Sequence, residues 1–326
     1  MLKIGALKLK SNLILAPMAG VSDLPFRMLN RKFGAELAFA EMINARSIGH
    51  KSRRTRDMLS SGAKDKPLGV QLLGCEERFI SRALGVLKDY KFDLLDFNAA
   101  CPAKKVVRRG EGSALLKDPK KLGKLLKLLV ENSKIPVTVK IRSGWDNNSV
   151  NARDVALYAQ DAGIDALFIH GRTKAQEYGG RVDYETIRRV KKALSVPVIA
   201  SGDVFSAQLA QKMFSRTNCD GLVIARGSFG NPWIFKEIKE FLKTGKIIPR
   251  VAKSRVIKVM LEHLEASVAF YGERNGVILF RKFFAWYTKG FCNSRPLREK
   301  SSRTKTKAEM EGIINEAAAG GVFRLL

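Results

Sequence analysis

Eight short apolar runs, separated by stretches with helical periodicity, constrain this chain more than any other feature. They are 12–18 (NLILAPM), 36–41 (ELAFAE), 67–73 (PLGVQLL), 93–98 (DLLDFN), 136–141 (PVTVKI), 165–170 (DALFIH), 197–201 (PVIAS) and 220–225 (DGLVIA). Each is apolar at successive positions, as a parallel strand buried on both faces should be. The segments between them carry helical patterns, such as 119–132 (PKKLGKLLKLLVEN), with leucine rows opposite lysines. Eight alternations predict an α/β fold, a (β/α)8 TIM barrel. A doubly wound sheet is the rival, but no GxGxxG follows the first run; the chain there reads Ala16-Pro17-Met18-Ala19-Gly20.

After Asn231-Pro232-Trp233 only helical periodicity remains, as in Val256–Tyr271 and Val277–Lys289. The expected organisation is a barrel over 1–243 and a small all-helical C-terminal domain over 250–326, joined through Thr244–Pro249. A length of 326 residues accommodates both. Apolar residues at 45% and charged residues at 28% exclude disordered and collagen-like classes. The stretch Leu13–Val21 is too short and too broken by Pro and Gly to span a bilayer, and it lacks a signal-peptide cleavage pattern. Cys75, Cys101, Cys219 and Cys292 are widely spaced with no CxxC, so neither a disulfide framework nor a metal site is expected. A cytoplasmic location fits this usage best, and a monomer is expected.

Charge is the outlier. Lys and Arg total 59 against 31 acids, a net +28, which favours a polyanionic partner. Lys51, Arg53, Arg54 and Arg56 follow the second run, and Lys104, Lys105, Arg108 and Arg109 follow the fourth. The stretch 281–307 carries nine basic residues against the single acid Glu299. A solvated helix face usually mixes both signs, so this run reads as a binding surface. The aromatics among it, Phe283, Phe284, Trp286, Tyr287 and Phe291, read as helix core rather than as base-stacking platforms.

Active sites of such barrels form at the carboxyl ends of the strands. There the chain gathers Pro17-Met18-Ala19, Gln71, Asn98 through Cys101, Lys140, Arg142, His170, Arg172, Ser201-Gly202-Asp203 and Ala225-Arg226. A stable barrel does not need Gln, Asn, Cys, Lys, Arg and His on one rim, so together they indicate a pocket. Small residues and Arg226 after strands seven and eight suit the phosphate of a cofactor. Lys140 could pair with an acid such as Glu41, or stand as a cation beside the N1/O2 edge of a flavin. Cys101 could act as a nucleophile if a base lowers its pKa, or as an acid if its thiol stays protonated near neutrality. Composition does not choose between these.

These residues form an ordered set that resembles the tRNA-dihydrouridine synthases, most closely the bacterial B-type branch. The set comprises 15–20 (LAPMAG) with Asp23, Pro25, Phe26 and Arg27, then 96–106 (DFNAACPAKKV), 112–116 (GSALL) and 137–142 (VTVKIR) with Gly144-Trp145. His170-Gly171-Arg172-Thr173, 198–204 (VIASGDV) and 230–235 (GNPWIF) complete it. The resemblance implies a barrel holding FMN, reduced by NADPH or NADH, that reduces the C5=C6 bond of uridines in tRNA to 5,6-dihydrouridine. It implies Cys101 as the proton donor. It places Pro17, Met18, Ala19, Gln71, Lys140, His170, Ser201, Gly202, Asp203, Ala225 and Arg226 at FMN. Asn98, Arg142, Arg172, Lys104 and Lys105 fall on the substrate side, and the helical domain helps grip tRNA. The chain departs from the family pattern at Ala100 and Ala225, commonly Gly, and at Ser201, usually Asn. An FMN barrel acting on a free pyrimidine or enone, and a tRNA-binding flavoprotein with weak or lost catalysis, are the alternatives; the first does not explain the +28.

Overall fold

A computed structural model describes residues 1–48, 53–249 and 251–319. Lys51 therefore lies outside the described residues, as do the side chains of Arg53 and Arg54.

The eight apolar runs form eight parallel strands: β1 Leu13–Leu15, β2 Leu37–Phe39, β3 Leu68–Leu73, β4 Leu94–Ala99, β5 Val137–Arg142, β6 Ala166–His170, β7 Val198–Ser201 and β8 Gly221–Ile224. Each pairs with the next, and β8 pairs back onto β1 through Leu222 and Leu13, so the sheet closes into a barrel. The register shows why the runs look continuously apolar. Leu95, Phe97, Val139, Ile141, Leu167 and Ile169 point outward into the layer shared with the helices. Leu37, Phe39, Leu94, Ala166, Phe168 and Ile199 point inward and fill the lower barrel. Phe39 and Phe168 meet edge to face there, with ring centroids 5.7 Å apart.

Two pieces escape the sequence reading. An antiparallel hairpin, Leu2–Ile4 with Leu7–Leu9, inserts Leu2, Ile4 and Leu9 into the inner core and closes the amino end of the barrel. The pair Ile43–Asn44 adds a two-residue strand beside β3.

Helix Ile234–Thr244 ends at Gly245, in the left-handed conformation. The chain then enters four tail helices, Lys253–Tyr271, Glu273–Tyr287, Ser294–Ser301 and Lys307–Ala319. The tail does not hang free. Phe26, on helix Leu24–Lys32 of the barrel, stacks on Phe283 at 5.5 Å, and one continuous apolar core runs through both. Phe283, Phe284, Tyr287 and Phe291 are buried in it, while half-buried Trp286 stacks on Phe229 at 3.9 Å.

Part of the basic stretch is engaged within the fold. Arg281 donates to the Thr304 carbonyl and Arg298 to the Thr288 carbonyl, while Lys282 reaches the Gly20 carbonyl of the barrel. Arg295, Lys300 and Lys307 pair with Glu299, Glu316 and Glu265. Arg281, Arg298 and Lys282 thus tie backbone carbonyls, while Arg295, Lys300 and Lys307 make pairs at the surface, one of them with Glu299 inside the stretch itself.

Candidate active site

The same two-residue period that fills the lower barrel brings polar side chains together at its carboxyl end. Inward positions of successive strands carry Gln71, Asp96 and Asn98, Thr138 and Lys140, His170 and Ser201. They open into a cavity of about 440 Å³. Pro17, Met18, Ala19, Gln71, Asn98, Cys101, Lys140, Arg142, His170, Ser201, Gly202, Asp203, Ala225 and Arg226 all line it. Arg172, Lys104 and Lys105 do not; the two lysines are exposed on the short helix Lys104–Val107 beyond Cys101.

Half-buried Cys101 sits on a loop clamped through its backbone. The Asn98 Oδ1 accepts from the Ala100 N–H at 3.0 Å and the Cys101 N–H at 2.8 Å. The Ala100 carbonyl accepts from Arg142 Nε at 2.7 Å, and the Cys101 carbonyl accepts from the Ser113 N–H and hydroxyl. Gly112 is required beneath it: its φ is 61°, and a Cβ there would lie 2.7 Å from the Cys101 carbonyl oxygen. Ala100 keeps a negative φ, so the methyl in place of the family's glycine costs no backbone strain.

Asn98 was expected to face the substrate, yet its hydrogen bonds are already spent. Besides the two N–H groups it accepts, its Nδ2 donates to Gln71 Oε1 at 2.7 Å and to Met42 Sδ. Gln71 Nε2 in turn donates to Asp96 at 2.6 Å, and the other Asp96 oxygen accepts from Thr138. A buried chain therefore runs from Asp96 through Gln71 and Asn98 to the Cys101 loop. It leaves one Gln71 N–H for a ligand. Asp96 and Thr138 were missed from the sequence, although both are polar at inward positions of otherwise apolar strands.

Lys140 faces Asp96 rather than Glu41; Glu41 instead accepts the Gly20 N–H. Burial pushes the Lys140 ammonium down to about 8, against the opposing pull of Asp96. Burial pushes Asp96 up to about 6. His170 is held well below its ordinary value, first by burial and then by Arg142, Lys140, Arg172 and Arg226 around it. It therefore stands as a neutral imidazole at neutral pH.

At the other end of the cavity, Asp203 adopts the left-handed conformation, with φ 49°. Burial works to raise its carboxyl, but hydrogen bonds and charge from Arg172 and Arg226 outweigh that and hold it below the usual carboxylate range. Arg226 bonds Asp203 at 2.8 Å and lies between the rings of Tyr178 and Phe205, 5.0 and 5.3 Å from their centroids. Both rings are unusually open, Tyr178 at 56% exposure and Phe205 at 47%, and both line the cavity. Neither has a sequence signal, because an aromatic on a loop reads the same whether it faces solvent or a site.

Arg172 was expected on the substrate side, but it is 2% exposed and does not line the cavity. It donates to the Asp203 carboxylate, and at 2.7 Å to each of the Gly179 and Gly180 carbonyls. Arg142 similarly ties the carbonyls of Thr173 and Glu177, at 3.0 and 2.8 Å, while its side chain still reaches the cavity wall. Two buried arginines thus lace the Tyr178 loop to the rim. The whole suits an elongated ligand, with a flat polar-edged ring near Gln71 and Lys140 and an anion near Arg226. Among the described residues no His, Cys, Asp or Glu cluster could hold a metal ion, and no helix is long and apolar enough to cross a membrane.

Comparison with known proteins identifies the family. A family model described as dihydrouridine synthase (Dus) matches residues 14–320. A probable tRNA-dihydrouridine synthase of Rickettsia bellii is 42% identical over 299 residues, spanning 91% of this chain and 92% of that protein. The tRNA-dihydrouridine synthase B of Pseudomonas syringae pv. tomato is 40% identical over 312 residues, spanning 95% and 93%. Among solved structures, histamine dehydrogenase from Rhizobium sp. 4-9 superposes with a TM-score of 0.56 at 13% identity. That match covers 81% of this chain but only half of the other, and it reports the barrel fold alone. A family match over nearly the whole length, with relatives at this identity, means that the chain belongs to the dihydrouridine synthase family.

Proposed function

We propose that this chain is a flavin-dependent tRNA-dihydrouridine synthase, acting in the cytoplasm as a monomer on uridines of tRNA. The observation that carries the reading is the shared cavity: Cys101, on an immobilised loop, opens onto the same space as Lys140, Gln71, His170 and Arg226. The donor set fits FMN. Gln71 offers an amide N–H and Lys140 a cation to the pyrimidine edge of a flavin, Pro17 to Ala19 offer an apolar wall, and Arg226 offers charge to its phosphate. Ser201 contributes less than an asparagine would, since its hydroxyl already bonds the Ile169 carbonyl at 3.2 Å.

FMN reduced by NADPH would supply the hydride for C6 of the uracil. Cys101 gives its proton to C5, and Asn98, Arg142 and Ser113 keep its backbone still while it does so. Arg142 and Tyr178, with the guanidinium 5.7 Å from the ring centroid, line the same cavity and offer a cation and an aromatic face to the base. The target nucleotide must be splayed out of its stack to enter, at a cost of about a few kcal/mol that phosphate attraction offsets. Mass-spectrometric mapping of dihydrouridine in tRNA, with and without the gene, tests the function. Undiminished dihydrouridine in the deletion, together with a colourless protein that FMN does not reconstitute, would overturn it.

Two further results are expected. FMN affinity should be level at neutral pH and fall as pH rises through about 8, where Lys140 loses its charge. Lys140→Met should weaken binding and flatten that fall; a wild-type titration flat to pH 9.5 would remove Lys140 from the flavin. Affinity for tRNA should drop with salt at a log–log slope of roughly −0.7 to −0.9 per phosphate contact. Exposed Lys104 and Lys105 are expected contacts, so replacing both with Glu should make the slope shallower by about one to two. An unchanged slope would move the RNA path elsewhere.

A further inference from the structure

Pro17, Met18 and Ala19 form one wall of the cavity, and the helical tail reaches the next residue, Gly20, with the ammonium of Lys282. Lys282, on helix Glu273–Tyr287, runs half-buried past the Phe283 ring, its Nζ 4.9 Å from the centroid. It donates to the Gly20 carbonyl, while the Gly20 N–H donates to the buried carboxylate of Glu41. Opposite charges, one from the tail and one from the end of β2, thus hold both sides of Gly20.

A second tie lies three residues on. Asp23 caps helix Leu24–Lys32 by accepting the Phe26 N–H at 2.9 Å, and its other oxygen accepts from the Tyr271 hydroxyl at 3.2 Å. Between the two ties, Ser22 bonds the Met18 N–H at 2.9 Å, and the Ser22 N–H returns to the Met18 carbonyl. The loop is closed on itself, so a shift at Gly20 carries Met18 with it.

We propose that Lys282 is a positioning residue through which the helical tail holds the flavin-side wall of the active site. This deepens, and rests on, the flavin-dependent reading of the cavity. Without Lys282 the acids Asp23 and Glu41 would flank the loop with no counter-charge, and the Gly20 carbonyl would lose its partner. The wall would then be set by barrel contacts alone.

The test uses the full-length holoenzyme with Lys282→Met, Lys282→Arg and, as a control, Met310→Ala, which empties a buried position of the last tail helix. FMN dissociation constant, kcat, KM for tRNA and melting temperature are measured on each. Lys282→Met should raise the FMN dissociation constant about tenfold and lower kcat, with KM for tRNA within about twofold of wild type. Lys282→Arg should restore most of the affinity, and Met310→Ala should lower the melting temperature without moving FMN binding. An unchanged FMN dissociation constant in Lys282→Met overturns the proposal. So does an equal shift in Met310→Ala, or an effect confined to KM for tRNA, which would make Lys282 an RNA contact. Should Lys282→Met fail to fold, Tyr271→Phe must weaken FMN binding in the same direction, and no shift there is equally fatal. A wild-type protein that takes up no FMN is a failure of the functional reading, separate from the behaviour of these variants.

Discussion

Cys101→Ala should leave a folded, yellow protein that binds tRNA with wild-type affinity and forms dihydrouridine about 10²–10⁴-fold more slowly. The expectation follows from how the loop is held. Among the described residues, the hydrogen bonds of Cys101 run through its backbone: the N–H to Asn98, and the carbonyl to Ser113. Alanine keeps all of them. What it removes is a thiol in a half-buried position on the cavity wall, so the stability cost should stay under about 1 kcal/mol. Single-turnover reaction of pre-reduced enzyme with tRNA isolates the step. A serine should not restore the rate, because an alcohol is a far weaker proton donor than a thiol. An undiminished rate in the alanine variant would show that another group, or water, protonates C5. Unfolding would instead return Cys101 to a packing role.

The barrel was legible because its strands are buried on both faces, and such strands stand out as apolar runs. The same property hid part of the site. Asp96 in DLLDFN and Thr138 in PVTVKI sit at inward positions. A run read as uniformly buried gives no reason to separate inward from outward residues. Cys101, Lys140, His170 and Arg226 could be collected from the rim because barrel chemistry gathers there. Their supports could not, since the partners are set by folding. Gly20 lies 262 residues from the lysine that holds it. Charge was the least reliable guide at the level of single residues. A basic residue looks available in sequence, yet Arg281, Arg298, Arg142 and Arg172 all end on backbone carbonyls. A guanidinium with five donors is well suited to tying loops in that way. The three-residue strands of the amino-terminal hairpin are simply too short to carry a pattern.

Arg172 makes the distinction between a contact and a support measurable. Arg172→Leu would strip the Asp203 carboxylate of its buried partner and leave the Gly179 and Gly180 carbonyls without donors in the fold. Breaking a buried pair from one side costs about 3–5 kcal/mol. Here the lower part of that range is expected, because Asp203 is partly exposed and retains Arg226. Urea unfolding of the flavin-free protein should therefore shift by about 3 kcal/mol, before any ligand is involved. The functional loss follows from the same bonds. Gly179 and Gly180 anchor the loop that carries Tyr178, and Asp203 orients Arg226, so both ends of the cavity loosen together. FMN affinity and kcat should fall in step. Arg172→Lys should recover little, since one ammonium group cannot span two carbonyls and a carboxylate in the planar geometry the guanidinium uses. A residue that only touched the substrate would behave differently: its loss would raise KM for tRNA and leave the unfolding midpoint of the flavin-free protein where it was. That pattern would put Arg172 back on the substrate side and take away the explanation offered here for how the Tyr178 loop and the Arg226 end of the cavity are held in register.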